Sequence, residues 1–507
     1  MCLQNLVDSD LRRNDGNILG MNSWRNWQKP ILINPLITFR FLFGMLMAVG
    51  AIRFMLSDWI QKLYVEPTFF FKFYGFEWIT VPSETGCYVL YLLVAISALG
   101  IALGAFYRLS AIVFFVTFTY SELLDATNYL NHYYLVILLS FLLIFLPAHK
   151  KYSVDVWRKP AIKTDKVPAW TIYIIIFQLC CVYFFAGLAK LNPDWLFRAM
   201  PMAIWLPERT HIPILGYFFQ FKETAYIFSY FGAFYDLTIW LFLLKRKTRP
   251  LAYVAVVVFH VLTKVLFNIG LFPMIMMTST LIFFSGEWHE KVHLWIQRLT
   301  SPLTLLLKEK GIALDFIKFM NLNISLLRKE KLKFNLAKFT KLRFIPFSFR
   351  RRVRDEVKQK ALKTALITYI SIQLLLPFRY LLYPNHLFWS EEGYRFSWRV
   401  MLVEKHGLAT FTVADSETQR KSEIVNGDYL TLFQEKQMAI QPDFILQFAH
   451  FLAKEYEERH GFVNPIVTVD AHVAMNGRIS QQFIKSDVNL AEIKDGFLPK
   501  KWIINYK

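Results

Sequence analysis

Nine apolar runs, each near the twenty or so residues that carry a helix across a hydrocarbon layer, leave this chain few alternatives to a polytopic membrane protein. They fall near 36–57, 87–106, 109–124, 132–147, 168–188, 224–244, 250–267, 270–286 and 363–382. A backbone in lipid must satisfy its own hydrogen bonds, so such runs read as helices, the shorter ones needing tilt or re-entry. Composition agrees. Of 507 residues 55% are hydrophobic, and the mean hydropathy is +0.32. The 49 Phe and 14 Trp suit lipid-facing surfaces and interfacial aromatic belts.

The net charge of +20 is not read as a nucleic-acid footprint, because the basic residues crowd into a few loops between apolar runs. With the N-terminus inside, the inside loops are HKKYSVDVWRKPAIKTDK (149–166), KRKTR (245–249) and 287–362. The last carries about eighteen Lys and Arg, including RRRVR at 350–354. The less basic loops near 58–86, 125–131 and 189–223 then face outside, and the positive-inside rule holds throughout. Within 287–362, LLRKEKLKFNLAKFTKLRF reads equally as an amphipathic helix on anionic lipid and as a solvated basic linker. The polar N-terminus has no apolar signal core, so the first span is expected to serve as the targeting signal.

Beyond the last span the pattern changes. Trp398–Val413 and Ile466–Ala474 alternate with period two, which predicts half-buried strands, and Asp443–His460 between them reads as one amphipathic helix. The expected fold class is mainly α. A polar segment (1–35) precedes a helical membrane domain (36–286), a basic inner-side segment (287–362) and a final span (363–382). A β-rich exoplasmic domain (383–507) closes the chain. Four cysteines (Cys2, Cys87, Cys180, Cys181) are too few and too badly spaced for a disulfide framework or a zinc site, and no metal centre is predicted. Their absence from the outside domain points to a bacterial inner membrane over the endoplasmic reticulum.

This topology gathers ionisable groups toward the outer side. Lys190 ends the fifth span in YFFAGLAKLNPDW, His132 opens the fourth, and Asp125 lies just before it. Asp236 and His260 lie inside the sixth and seventh spans. An unpaired charge in hydrocarbon costs at least a few kcal/mol, so a shared outward-facing polar cavity is expected to hold them. Each also has a plain structural reading: a snorkelling anchor for Lys190, a helix–helix hydrogen bond for Asp236, a satisfied core position for either histidine. A desolvated lysine loses its proton more easily, which is how an amine becomes a general base, and neighbouring histidines suit orientation or proton transfer. No nucleotide or hydrolase motif is present.

These same stretches carry a resemblance. VYFFAGLAKLNPDW resembles the membrane-domain signature of the vitamin K-dependent gamma-glutamyl carboxylases and of the wider bacterial family with a horizontally transferred transmembrane domain. SELLDATNYLNHYY, FHVLTKVLFNIGLF, GYRFSWRVM and VDAHVAMNGRISQQ are similar to further carboxylase stretches, in the same order, from about residue 36 to about 490. The resemblance implies a membrane enzyme whose lysine, at Lys190, deprotonates vitamin K hydroquinone. The quinol then reacts with O2 to give a strong base and ends as the 2,3-epoxide. That base ionises a protein glutamate at its gamma-carbon, which captures CO2. It also implies a proton-transfer role for His132, a supporting role for His260 and glutamate binding around Tyr394 and Trp398. Lipid, quinone and a glutamate-containing protein are the implied partners.

The chain departs from the family's pattern at Ala189, where a second lysine is usual, at Arg399, where an acid is usual, and at Val403, where a histidine is usual. No cysteine follows Cys181, so an interdomain disulfide is not expected, and the tail past Trp502 is short. The departures concentrate on the glutamate side. The alternatives carried forward are a quinone oxygenase that no longer carboxylates and a proton-coupled transporter.

Overall fold

The computed structural model describes residues 24–267, 269–309 and 347–506. The polar segment up to residue 23 and the stretch LLRKEKLKFNLAKFTKLRF lie outside the described residues. All nine apolar runs fall on helices. These are α1 (Asn34–Leu56), α2 (Glu84–Leu103), α3 (Tyr107–Leu123), α4 (Asn131–Phe145), α5 (Trp170–Ala189), α6 (Lys222–Leu244), α7 (Arg249–Phe267), α8 (Phe272–Thr280) and, after α9 (Gly286–Glu309), α10 (Phe347–Leu375). Among the described residues six helices are long and apolar enough to cross a membrane: α1, α2, α5, α6, α7 and Glu356–Leu382. α4 and α8 are apolar but shorter. On α2 the outward side chains are themselves apolar, Val89, Leu92, Leu93 and Ile96 among them, as a helix in lipid requires.

Local chemistry sets the ends. Pro35 sits in the first turn of α1. Ser83 caps α2 by accepting the Gly86 N–H, and Gly104, at φ +63°, stops it. Where α1 crosses α2, a Cβ on Gly44 would lie 2.5 Å from the Ala102 nitrogen, so the backbones meet at glycine. A two-stranded sheet, β1 (Pro30–Leu32) with β2 (Lys166–Pro168), pairs Ile31 with Val167 and ties the entry of α1 to that of α5.

By contacts the chain divides into Ser285–Gln373, which holds α9 and most of α10, and a larger unit formed by the rest. In the larger unit the C-terminal residues build an antiparallel sheet ordered β4–β3–β5–β6: β3 Lys405–Ala414, β4 Lys421–Glu423, β5 Ile466–Met475 and β6 Gln481–Gln482. β3 and β5 pair from Lys405↔Met475 to Ala414↔Ile466. Phe411 and Val413 share a buried face with Val467 and Val469, which α11 (Leu432–Met438) and α12 (Pro442–His460) help cover, with Phe448 5.1 Å from Phe411. This core runs on into Phe71, Trp195 and Phe219 from the loops between the apolar helices. Gln447 mimics a strand partner there, exchanging hydrogen bonds with Lys72 N (2.8 Å) and Lys72 O (2.9 Å).

One expectation fails. The strand anticipated from Trp398 begins only at Lys405. Phe396, Trp398 and Met401 hold φ of +58°, +58° and +54°, a left-handed backbone that no strand continues through. Contacts with the start of α4 hold it in place. Phe396 N–H donates to Tyr129 Oη (2.8 Å), Arg399 O accepts from Asn131 Nδ2 (2.8 Å), and Trp398 stacks on Tyr134 at 5.0 Å. Alternating hydrophobicity here reflects two packing surfaces, not a pleat.

Candidate active site

Lys190 follows the last residue of α5. The chain turns there because Asn192 caps the short helix Pro193–Arg198, accepting the Trp195 N–H at 3.0 Å, with Pro193 in its first turn. The turn packs Trp195 against the amine, Nζ lying 5.3 Å from the indole centroid, while indole Nε1 donates to Ser229 O on α6 at 2.7 Å. Gly187 does the rest. A Cβ there would sit 2.6 Å from Leu237 N and 2.9 Å from the Asp236 carbonyl carbon, so α5 and α6 approach as only glycine permits. Lys190 Nζ thereby reaches Asp236 Oδ2 at 2.6 Å and Ala186 O at 3.3 Å, with both side chains under a tenth exposed.

The pair lines a cavity that is in part continuous with the exterior. Its wall is mostly apolar, including Phe231, Phe259, Leu266 and Met276, with Tyr183, His260 and Thr263 as further polar members. His260 Nε2 lies 3.3 Å from Tyr183 Oη, and His260 Nδ1 is buried without a hydrogen-bond partner among the described residues. Val400 and Met401, from the left-handed segment before β3, supply part of the wall.

The expected common polar cavity is thus smaller and drier than the sequence suggested. It holds Lys190, Asp236 and His260, but His132 and Asp125 do not line it. His132 packs behind it: the Phe272 ring, which does line the cavity, stands 5.7 Å from His132 and 5.8 Å from His260. Asp125 is spent elsewhere. Its Oδ1 accepts from Thr127 N (2.9 Å) and Thr127 Oγ1 (2.8 Å), and its Oδ2 from Gln434 Nε2 (2.9 Å). Burial pushes that carboxyl up in spite of these bonds. Tyr394 is half-buried against Phe388, and Trp398 is fully buried on Tyr134; neither lines the cavity.

Two residues gain roles that sequence reasoning missed. Asp236, expected in the shared cavity with a helix–helix hydrogen bond as its plain alternative, is the direct ion-pair partner of Lys190. Asp194, in NPDW, receives Arg478 Nη1 (2.7 Å), Arg478 Nη2 (2.5 Å) and Asn476 Nδ2 (2.8 Å). Burial alone would push the Asp194 carboxyl up, but Arg478 and Asn476 hold it below its ordinary value. The Asn476-Gly477 pair is a legible turn signal. Nothing local, however, announces a partner 282 residues away.

Lys190 Nζ and Asp236 Oδ2, 2.6 Å apart, make one short charge-assisted hydrogen bond, and each is the partner that offsets the other's burial. Apolar helices long enough to cross a membrane, a largely apolar cavity holding a buried lysine, and a small α+β region forming part of its wall meet in this one site. Residues 28–288 match the HTTM domain, and residues 358–507 match the vitamin K-dependent gamma-carboxylase, lumenal domain. The chain belongs to the vitamin K-dependent gamma-carboxylase family. No solved structure matches it.

Proposed function

We propose that this membrane protein oxygenates reduced vitamin K to its epoxide, with Lys190 as the base, and couples that reaction to gamma-carboxylation of protein glutamate. The observation that carries the reading is the Lys190–Asp236 pair on the wall of a largely apolar cavity. The cavity's lining suits a lipid-soluble quinol: extended apolar surface with a few convergent polar groups. Bound there, the quinol supplies, on reaction with O2, the strong base that the ionisation of a glutamate gamma-carbon needs.

The chain's own residues do the rest. Asp236 holds Lys190 against the cavity wall, where its amine is the base offered to the acidic hydroxyl of the quinol. Trp195 and Ala186 O fix where that amine points. His260, buried with a free ring nitrogen, is placed to hold a polar group of the bound ring. The apolar wall excludes water, which would otherwise quench a strong base. His132, one aromatic ring removed from the cavity, serves proton transfer only if Phe272 moves. Tyr394 and Trp398 belong to the segment that brings Val400 and Met401 to the cavity, which supports a glutamate-bearing substrate held at that segment. With the N-terminus inside, the Lys190 end of α5 and the C-terminal domain lie on the exoplasmic side.

Purified protein given vitamin K hydroquinone and O2 is expected to form epoxide, and Lys190→Ala to abolish it; normal turnover by that variant overturns the assignment. Labelled bicarbonate with a glutamyl peptide tests the coupling. A second reading, oxygenation without carboxylation, is favoured by one observation. Where the family carries an acid and a histidine, this chain has Arg399, buried over Tyr380 with 4.5 Å to the ring centroid, and Val403, half-buried against the core. Epoxide without incorporated label would select it.

A further inference from the structure

Arg40 is a buried cation inside α1, in an otherwise apolar stretch, NPLITFRFLFGM. It is 2% exposed. Its Nη1 donates to Ala148 O at 3.0 Å and its Nη2 to Tyr152 O at 2.6 Å, while Nε is buried with no partner among the described residues. No carboxylate lies within ion-pair distance of it among the described residues. The nearest acid in influence, Asp155, spends its oxygens on the Phe106 and Tyr107 N–H groups (2.9 Å each) and on Arg158 (3.4 Å). Carbonyl dipoles satisfy hydrogens but do not neutralise a charge, and a guanidinium in a spanning helix without a counter-ion is costly.

The surroundings leave room for the missing anion. Arg40 forms part of a shallow open groove shared with Phe41, Leu103, Tyr152 and Trp157. The fold thins to admit the guanidinium, since a Cβ on Gly104 would meet Arg40 Nη1 at 2.6 Å. The mouth carries the residue types of a membrane interface: Tyr152 and Trp157 are amphipathic aromatics about half exposed, and Phe41, two turns into α1, and Leu103, at the end of α2, are equally exposed apolar groups. The adjoining loop, HKKYSVDVWRKP, is basic.

From this juxtaposition we propose that the groove is a binding site for an anionic phospholipid of the inner leaflet. The phosphate sits against Arg40 and the interfacial aromatics, and an acyl chain runs along Phe41 and Leu103. Charge complementarity selects this occupant: a guanidinium suits phosphate, the basic loop favours a headgroup without its own cation, and the apolar walls suit a chain that a free phosphate lacks. The site is separate from the Lys190 cavity, so it stands or falls without the reading of that cavity.

Native mass spectrometry of the full chain, released from nanodiscs of mixed phosphatidylglycerol and phosphatidylcholine, tests it. One phosphatidylglycerol is expected to survive delipidation in preference to phosphatidylcholine, with retention roughly tenfold weaker in Arg40→Gln and Trp157→Ala. Thermal stabilisation should follow added phosphatidylglycerol and not inorganic phosphate. If Arg40→Gln fails to fold, Trp157→Ala and Tyr152→Ala at the mouth carry the comparison. Equal retention of the two lipids, undiminished retention in the mouth variants, or equal stabilisation by inorganic phosphate would overturn the proposal.

Discussion

Gly187→Ala isolates the geometry on which the proposed chemistry depends, because it adds one methyl group and removes no functional atom. The new Cβ would lie 2.6 Å from Leu237 N, 2.8 Å from Leu237 Cγ and 2.9 Å from the Asp236 carbonyl carbon, where ordinary contact begins near 3.4 Å. Two of those three atoms are backbone, so relief requires α6 to retreat by about 0.8 Å. The retreat falls on the residue that holds Lys190, stretching a 2.6 Å contact past the usual limit of about 3.2 Å for such a bond. Overpacking of this kind costs about 1–3 kcal/mol, and a misplacement near 1 Å at a reacting group costs on the order of a hundredfold in rate. Gly44→Ala is the control, since its Cβ meets Ala102 N at 2.5 Å, an equally severe clash, where α1 crosses α2. Both variants should lose comparable thermal stability. Folded Gly44→Ala should form vitamin K epoxide at near the parent rate, and folded Gly187→Ala about a hundredfold more slowly. Equal activities in the two folded variants would refute the reasoning.

Three further outcomes are expected. Asp236→Asn leaves the Lys190 ammonium buried without a counter-charge and should destabilise by about 3–5 kcal/mol, whereas Lys190→Met with Asp236→Leu should recover most of that in thermal unfolding; neither should form epoxide. Arg478→Ala removes both guanidinium bonds to Asp194 and should raise hydrogen exchange in the Asn476 turn and the Pro193–Arg198 helix together, while leaving the β3–β5 ladder protected. Burial would raise the Asp443 carboxyl, but the Arg395 and Lys500 charges bring it down to about 2. A folded value below the unfolded one, about 3.9, stabilises fully above that pH and loses the stabilisation between about pH 4 and 2, so Asp443→Asn should flatten the acid limb of unfolding measured against pH.

The helices were legible because lipid imposes a length and a polarity that a sequence shows directly. The same holds for α12 and β5, where a period of 3.6 or 2 meets one buried face. Lys190 and His260 reach one cavity because charge is rare in such helices and must converge. What the sequence hid is of a different kind. Trp398 to Met401 alternate like a strand but are bent through left-handed conformations by Tyr129, Asn131 and Tyr134 from a distant helix. His132 opens α4 as expected, yet the Phe272 ring separates it from the cavity. Asp125 sits on the expected side but is committed to a turn and to Gln434. Each of these three turns on a side chain whose partner is more than a hundred residues away, where no local pattern reports it.

Val400 and Met401 reach the cavity on a stretch whose neighbours belong to the C-terminal domain. The helical bundle by itself therefore encloses an unfinished chamber, one side of which arrives from a part of the chain more than a hundred residues further on in sequence. A bundle expressed alone would leave its amine open to water and lose the dryness the chemistry demands. Conversely, any ligand that presses on residues 393–404 from the aqueous side would be felt in the Lys190 cavity through Val400 and Met401.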